Sequence, residues 1–140
     1  MTTTPLLSIK NLDVAFSHQG QQTLVAKNIC LDIFAGQTLA VVGESGSGKS
    51  VTAMSILRLL PYPPASHPNG KITFNQLDLL TIPESQLRSI RGNDIGMIFQ
   101  EPMTALNPLH TIKKQIGEVL RLHQGLNIQQ AEKTIIEWLG

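Results

Sequence analysis

Apolar residues alternate at Leu12, Val14 and Phe16, and again at Ile29, Leu31 and Ile33. That period of two predicts a pair of half-buried strands, with SHQGQQ (17–22) as the turn region between them. FAGQ then leads into TLAVV (38–42), a β-branched apolar run that predicts a buried strand. The period changes after Ser50. Val51, Met54, Ile56, Leu57 and Leu60 follow near-helical spacing until Pro61 stops the helix. The prolines of PYPPASHPNG (61–70) exclude helix and central strand there, so a surface loop is expected. KITF (71–74) predicts a short strand. PESQLRSI (83–90) predicts a short helix begun by Pro83, and IGMIF (95–99) an apolar strand ending at Gln100. Ile112, Ile116, Val119 and Leu120 mark an amphipathic helix. Asn127 with Gln130 forms a capping-box pattern opening another helix through Ile128, Ala131, Ile135 and Trp138. The fold class expected from these elements is α/β.

The candidate chemistry sits where the period switches. GESGSGKS (43–50) fits G-x-x-x-x-G-K-[ST], with Gly43, Gly48, Lys49 and Ser50 at the fixed positions. Glycines let the backbone turn so that consecutive N–H groups point at one phosphate. Lys49 supplies a flexible charge for the outer phosphates, and Ser50 a small hydroxyl for a magnesium ion. A Gly/Ser linker would not sit between a buried strand and an apolar helix.

Composition narrows the picture. The 140 residues fit one domain; 41% are hydrophobic and 15% charged, which argues against wholesale disorder. A net charge of +1 gives no electrostatic case for nucleic acid as main partner. Cys30 is the only cysteine, so no internal disulfide can form; a packed position beside an apolar strand is expected for it. MTTTPLLSIK lacks the pattern of a secretory signal, and no apolar run approaches the roughly 20 residues that span a bilayer. His18, His67, His110 and His123 show no metal-ligand spacing and are expected to face solvent.

The order of these elements resembles the nucleotide-binding domain of an ABC transporter, a P-loop NTPase with an antiparallel β subdomain, a parallel core sheet and a helical subdomain. A strand pair before the P-loop is typical of that family. Phe16 lies where the family places an aromatic residue that stacks on adenine, although alternation with Val14 alone would make it core. MIFQEPMTALNPLHT (97–111) resembles the family's Q-loop region. QEPMTALNP is similar to the dipeptide and oligopeptide importer branch, and LRLLPYPPASHPNGKI and RGNDIGMIFQEP to Yej-type peptide importers within it.

The resemblance implies roles for residues. Gly43, Glu44, Ser45, Gly46, Ser47, Gly48, Lys49, Ser50 and Val51 would cradle the phosphates of ATP. Ser50 and Gln100 would reach Mg2+, and Gln100 would sense the γ-phosphate or the attacking water. Residues 1–140 would form the N-terminal part of the domain: about 1–99 the β and P-loop core, about 100–140 the Q-loop and the start of the helical subdomain. Implied partners are membrane-spanning permease subunits, a second nucleotide-binding domain and, indirectly, an extracytoplasmic peptide-binding protein. The implied location is peripheral, on the cytoplasmic face of the membrane.

The family also requires a Walker B strand ending in Asp-Glu, a signature loop resembling LSGGQ and a switch histidine. None follows Gln100, so the chain is expected to be the first part of a longer protein. The nearest imitation of Walker B is GMIFQEP, which would make Glu101 the acid of a compact site. Two other classes compete with the transport ATPase: a module that binds ATP or docks on a transporter without turnover, and a different P-loop enzyme. No N-K-x-D motif supports a GTPase, and a small-molecule kinase gives QEPMTALNP no role.

Overall fold

The computed structural model describes residues 4–101 and 105–140. By chain contacts it divides between Leu87 and Arg88 into two compact units.

The first unit is built on a long hairpin of β1 (Leu7–His18) and β2 (Gln21–Ile33). Its turn is Gln19–Gly20, with φ of 48° and 80°, the positive pair that a tight hairpin of right-twisted strands requires. The ladder is irregular. Ile9 pairs with Leu31 and Leu12 with Ile29, so β1 carries an extra residue there; Val14 then pairs with Ala26 and Ala15 with Leu24, so β2 carries extras in turn. Asn11 (φ 49°) and Asn28 (φ 50°) occupy left-handed positions at the first two of these shifts, a conformation asparagine tolerates. β3 (Ala65–Ser66) and β4 (Lys71–Phe74) pair with the other edge of β1, and β5 (Leu77–Asp78) closes on β4. The sheet is antiparallel in every pairing of β1 to β5. Ile9, Leu12, Val14, Ile72, Leu79 and Leu87 are fully buried within this unit.

Helix α1 (Lys49–Ile56) follows the glycine loop and is shorter than the apolar spacing predicts, ending before Leu57 and Leu60, which are nonetheless buried. Helix α2 (Glu84–Ile90) starts after Pro83 as expected. The proline-rich stretch is a loop except for β3, where Ser17 N–H donates to Pro64 O and Ala65 sits opposite Phe16.

Two expected strands do not form. TLAVV carries no strand pairing and IGMIF only an isolated parallel bridge from Ile95 to Arg91, and Val42 and Ile98 are 89% and 94% exposed. A parallel strand is stable when neighbours pair both its edges and layers cover both faces. No described strand pairs with either segment, so their apolar side chains stay at the surface.

The second unit contains α3 (Ile112–Gln124) and α4 (Ile128–Leu139). Thr111 caps α3, its hydroxyl accepting from Lys114 N–H at 3.2 Å, and Gly125 ends it in the left-handed conformation. The capping box at α4 is complete: Asn127 Oδ1 accepts from Gln130 N–H, and Gln130 Oε1 from Asn127 N–H. The two helices bury Leu120, Ala131 and Ile135, with Ile116 and Leu126 around them.

Candidate phosphate-binding site

The loop 43–50 takes its shape from its glycines. Gly46 and Gly48 have φ of 80° and 87°. A Cβ on Gly48 would lie 2.9 Å from Val25 O and 3.0 Å from Ala26 Cβ, so the loop rests on the bulged part of β2 at a separation only glycine permits. Ser47 N–H turns back to Glu44 O at 3.2 Å. The Lys49 ammonium closes the turn, donating to Gly43 O and Glu44 O at 2.7 Å each and to Ser47 Oγ at 3.1 Å. A compact charge is thereby held inside the curve of the loop, at the N-terminus of α1. No acidic side chain stands in the first turn of α1 to compete for that end of the helix. Ser50 is exposed in the same turn, while Thr52 and Ser55 are buried and bond back to Gly48 O and Val51 O at 2.8 Å.

Phe16 is placed by the sheet. Val14 pairs with Ala26, the residue under Gly48, and β1 runs regularly from Val14 to Phe16, because the bulge at that point belongs to β2. Phe16 therefore shares the sheet face on which the glycine loop rests. It is half-buried, not a core residue like Val14.

Gln100 and Glu101 are exposed residues of the second unit. Pro102 to Thr104 of the Q-loop-like stretch lie outside the described residues. The rest of that stretch is organised by one side chain. Gln115 Oε1 accepts from Asn107 N–H at 2.9 Å, while its amide donates to Asn107 O at 3.0 Å and His110 O at 2.9 Å. Leu109 N–H donates to Asn107 Oδ1 at 2.9 Å, and Leu109 itself is 88% exposed.

Three smaller expectations need correction. Cys30 is exposed rather than packed; its thiol donates to Asn11 Oδ1 and accepts from Asn11 N–H, both at 3.2 Å, because the bulge turns Asn11 toward it. His67 is partly buried beside Tyr62, with ring centroids 5.6 Å apart. That burial, with the nearby Arg58 charge, holds its pKa below the usual histidine value. His123 is partly buried against the turn at Gly92. No cluster of three or more His, Cys, Asp or Glu side chains able to hold a metal occurs among the described residues. No described helix is long and apolar enough to cross a membrane.

Antiparallel sheet, glycine loop and following helix together have the arrangement of the α/β ATP-binding-cassette fold. The ATP-binding cassette MJ0796, solved as a dimer in a post-hydrolysis state with ADP and Pi, superposes with a TM-score of 0.77 at 23% identity, over 94% of this chain and 54% of that one. The ABC transporter family profile matches residues 26–140, and the chain belongs to that family. It is 61% identical over 138 residues to the peptidoglycan transport ATP-binding protein YejF of Agrobacterium fabrum, covering 98% of this chain and 25% of that protein. It is 54% identical to the YejF ATP-binding protein of Escherichia coli, covering 98% and 26%, and 43% identical to the oligopeptide transport protein OppD of Bacillus subtilis, covering 97% and 38%. The resemblance to the peptide-importer branch and to Yej-type proteins holds. The chain spans about a quarter of the length of the two YejF proteins.

Proposed function

We propose that this chain is the ATP-binding portion of an ABC transporter ATPase that couples ATP binding and hydrolysis to the import of peptides or peptide-like compounds. The observation that carries the reading is the loop 43–50 curled around the Lys49 ammonium at the head of α1, with Phe16 on the same sheet face. In this reading residues 43–51 cradle the phosphates and Phe16 stacks on the base. Lys49 exchanges its carbonyl partners for phosphate oxygens, a stronger charge-assisted contact.

Magnesium fits this donor set only as a companion of the nucleotide. Ser50 offers one hydroxyl at the loop, Gln100 would offer one amide oxygen only as the family resemblance implies, and the described residues hold no carboxylate cluster. Such a site takes the ion with one or two protein oxygens and the remainder from phosphate and water. When bound, the ion would neutralise charge developing on the phosphates. Residues from about 100 onward would begin the helical subdomain. Leu109, at the tip of the loop fixed by Gln115, would meet a membrane-spanning permease subunit. A second nucleotide-binding domain would complete the ATP site, and an extracytoplasmic peptide-binding protein would act indirectly. These partners place the protein on the cytoplasmic face of the membrane.

The test is titration of ATP with and without magnesium against wild type and Lys49→Ala, with phosphate release followed in parallel. Magnesium-dependent binding should weaken by about tenfold to a hundredfold in Lys49→Ala. Identical curves for the two proteins would reject the assignment of Lys49. The alternative reading is ATP binding without turnover. It is supported if ATP binds while phosphate release stays at the Lys49→Ala background.

A further inference from the structure

On the sheet face opposite the glycine loop, the first unit carries an open basin of about 690 Å3. Its rim holds Lys10, Lys27 and Lys71. Lys10 and Lys71 are direct cross-strand partners in the β1–β4 ladder, so two like charges face each other on one side of the sheet. Such a pair is destabilising unless an anion lies between them. Among the described residues neither lysine is engaged in an ion pair. The one acid in the basin, Asp13, is already occupied: Oδ1 accepts from Asn28 N–H at 2.7 Å and Oδ2 from the Asn69 amide at 2.8 Å. Counting Asp13, the lining keeps two net positive charges.

The basin has a fixed shape. Gly70 (φ 99°) lies so close to β1 that a Cβ would stand 2.4 Å from Leu12 Cα, and Asp13 N–H donates to Asn69 O at 3.0 Å. This clasp holds the loop that leads into Lys71 of β4 against the bulged part of β1 that carries Asn11. The Asn28 side-chain amide has no hydrogen-bond partner among the described residues and stands on the basin wall as a donor. Three ammonium groups on one rim plus an amide donor, with the local carboxylate already hydrogen-bonded within the frame, suit a compact, multiply charged oxyanion better than a planar carboxylate, which guanidinium forks favour.

We propose that this basin is a second anion site, distinct from the P-loop, that takes a phosphate-type group bridging Lys10, Lys27 and Lys71. The group could be free or the headgroup of an acidic lipid; the chemistry is the same and the experiment separates the sources. Pyrophosphate binding to the full 140-residue chain is measured by equilibrium dialysis in a Lys49→Ala background, which disables the P-loop. Binding should persist there, fall with added salt, and weaken by about tenfold or more when Lys10, Lys27 and Lys71 are all changed to Gln. Because the substitution also relieves the Lys10–Lys71 repulsion, the triple variant should melt no lower than its parent, so lost binding is not lost folding. As a measurement independent of that variant, pyrophosphate should shift the NMR signals of the Asn28 side-chain amide and the Gly70 backbone amide. Flotation with phosphatidylcholine vesicles, with and without phosphatidic acid, assigns the source. Retention on phosphatidic acid that disappears in the triple variant identifies a lipid headgroup; pyrophosphate binding without retention identifies a free anion. Neither probe binding, binding unchanged by the triple substitution, or an acidic peptide binding where both phosphate probes fail, overturns the proposal.

Discussion

Gly48→Ala, compared with Gly46→Ala, tests how the phosphate loop is seated. Both glycines are left-handed, at φ 87° and 80°, so each alanine incurs the backbone cost of that conformation, about 1–2 kcal/mol. There the similarity ends. A Cβ on Gly46 meets nothing within 4 Å, whereas on Gly48 it lies 2.9 Å from Val25 O and 3.0 Å from Ala26 Cβ. Neither obstacle is the free end of a flexible side chain. The loop or β2 must move by several tenths of an ångström, an overpacking cost of about 1–3 kcal/mol beyond the backbone term. Gly46→Ala should therefore destabilise by about 1–2 kcal/mol and Gly48→Ala by about 2–5 kcal/mol, a large part of the roughly 5–15 kcal/mol a domain possesses. Urea denaturation gives both values, and ATP titration shows whether the displaced loop still binds. Equal destabilisation by the two alanines would refute the seat on β2, and with it the argument that Phe16 and the loop share a face.

Asp13 is held below its ordinary pKa first by the Asn69 amide, then by Asn28 N–H and more weakly by the Lys27 charge, against a small opposing effect of burial. A carboxyl lowered on folding contributes stability that is present above its unfolded value of 3.8 and is lost as pH falls through the lower folded value. Melting temperature should fall in that acid window for wild type and fall less for Asp13→Asn. Asn127→Ala removes the capping box of α4 and should cost about 1 kcal/mol, read from the denaturation midpoint and far-UV circular dichroism. Leu109→Cys, co-expressed with the cognate permease subunit, should form a cross-link that Glu118→Cys, farther along α3, does not.

The long hairpin was legible because alternation is a local signal: Leu12 and Val14 are buried, as their spacing predicts. The caps of α3 and α4 were likewise written in neighbouring residues. The bulges were not, since nothing in KNL or KNI announces that Asn11 and Asn28 adopt positive φ; strand partners impose it. The β4–β5 turn is hidden in the sequence for a related reason. Asn75 and Gln76 both have positive φ without a glycine to mark them. TLAVV and IGMIF show the converse: apolar composition predicts burial, but burial of a parallel strand depends on neighbours distant in sequence. The site divides the same way. The residue types of the glycine loop were read directly, whereas the contact of Gly48 with β2 and the charge pairing of Lys10 with Lys71 exist only once the register is known.

Gln115 has a mechanical consequence. Its carboxamide ties Asn107 and His110 to the first turn of α3, and Thr111 caps that turn. To bend the tip at Leu109, a load would have to break several of these bonds at once. Tilting the helix instead strains the softer apolar contact of Leu120 with Ala131 and Ile135 and the exposed Lys113–Glu132 ion pair, whose long side chains can follow the movement. The loop is thus the stiff end of a lever and the helix contact its yielding joint. At 1.5 Å per residue the 13-residue α3 is about 20 Å long, so a tilt of about 3° carries its far end about 1 Å. A push on Leu109 is delivered as displacement at Gln124, with little absorbed on the way.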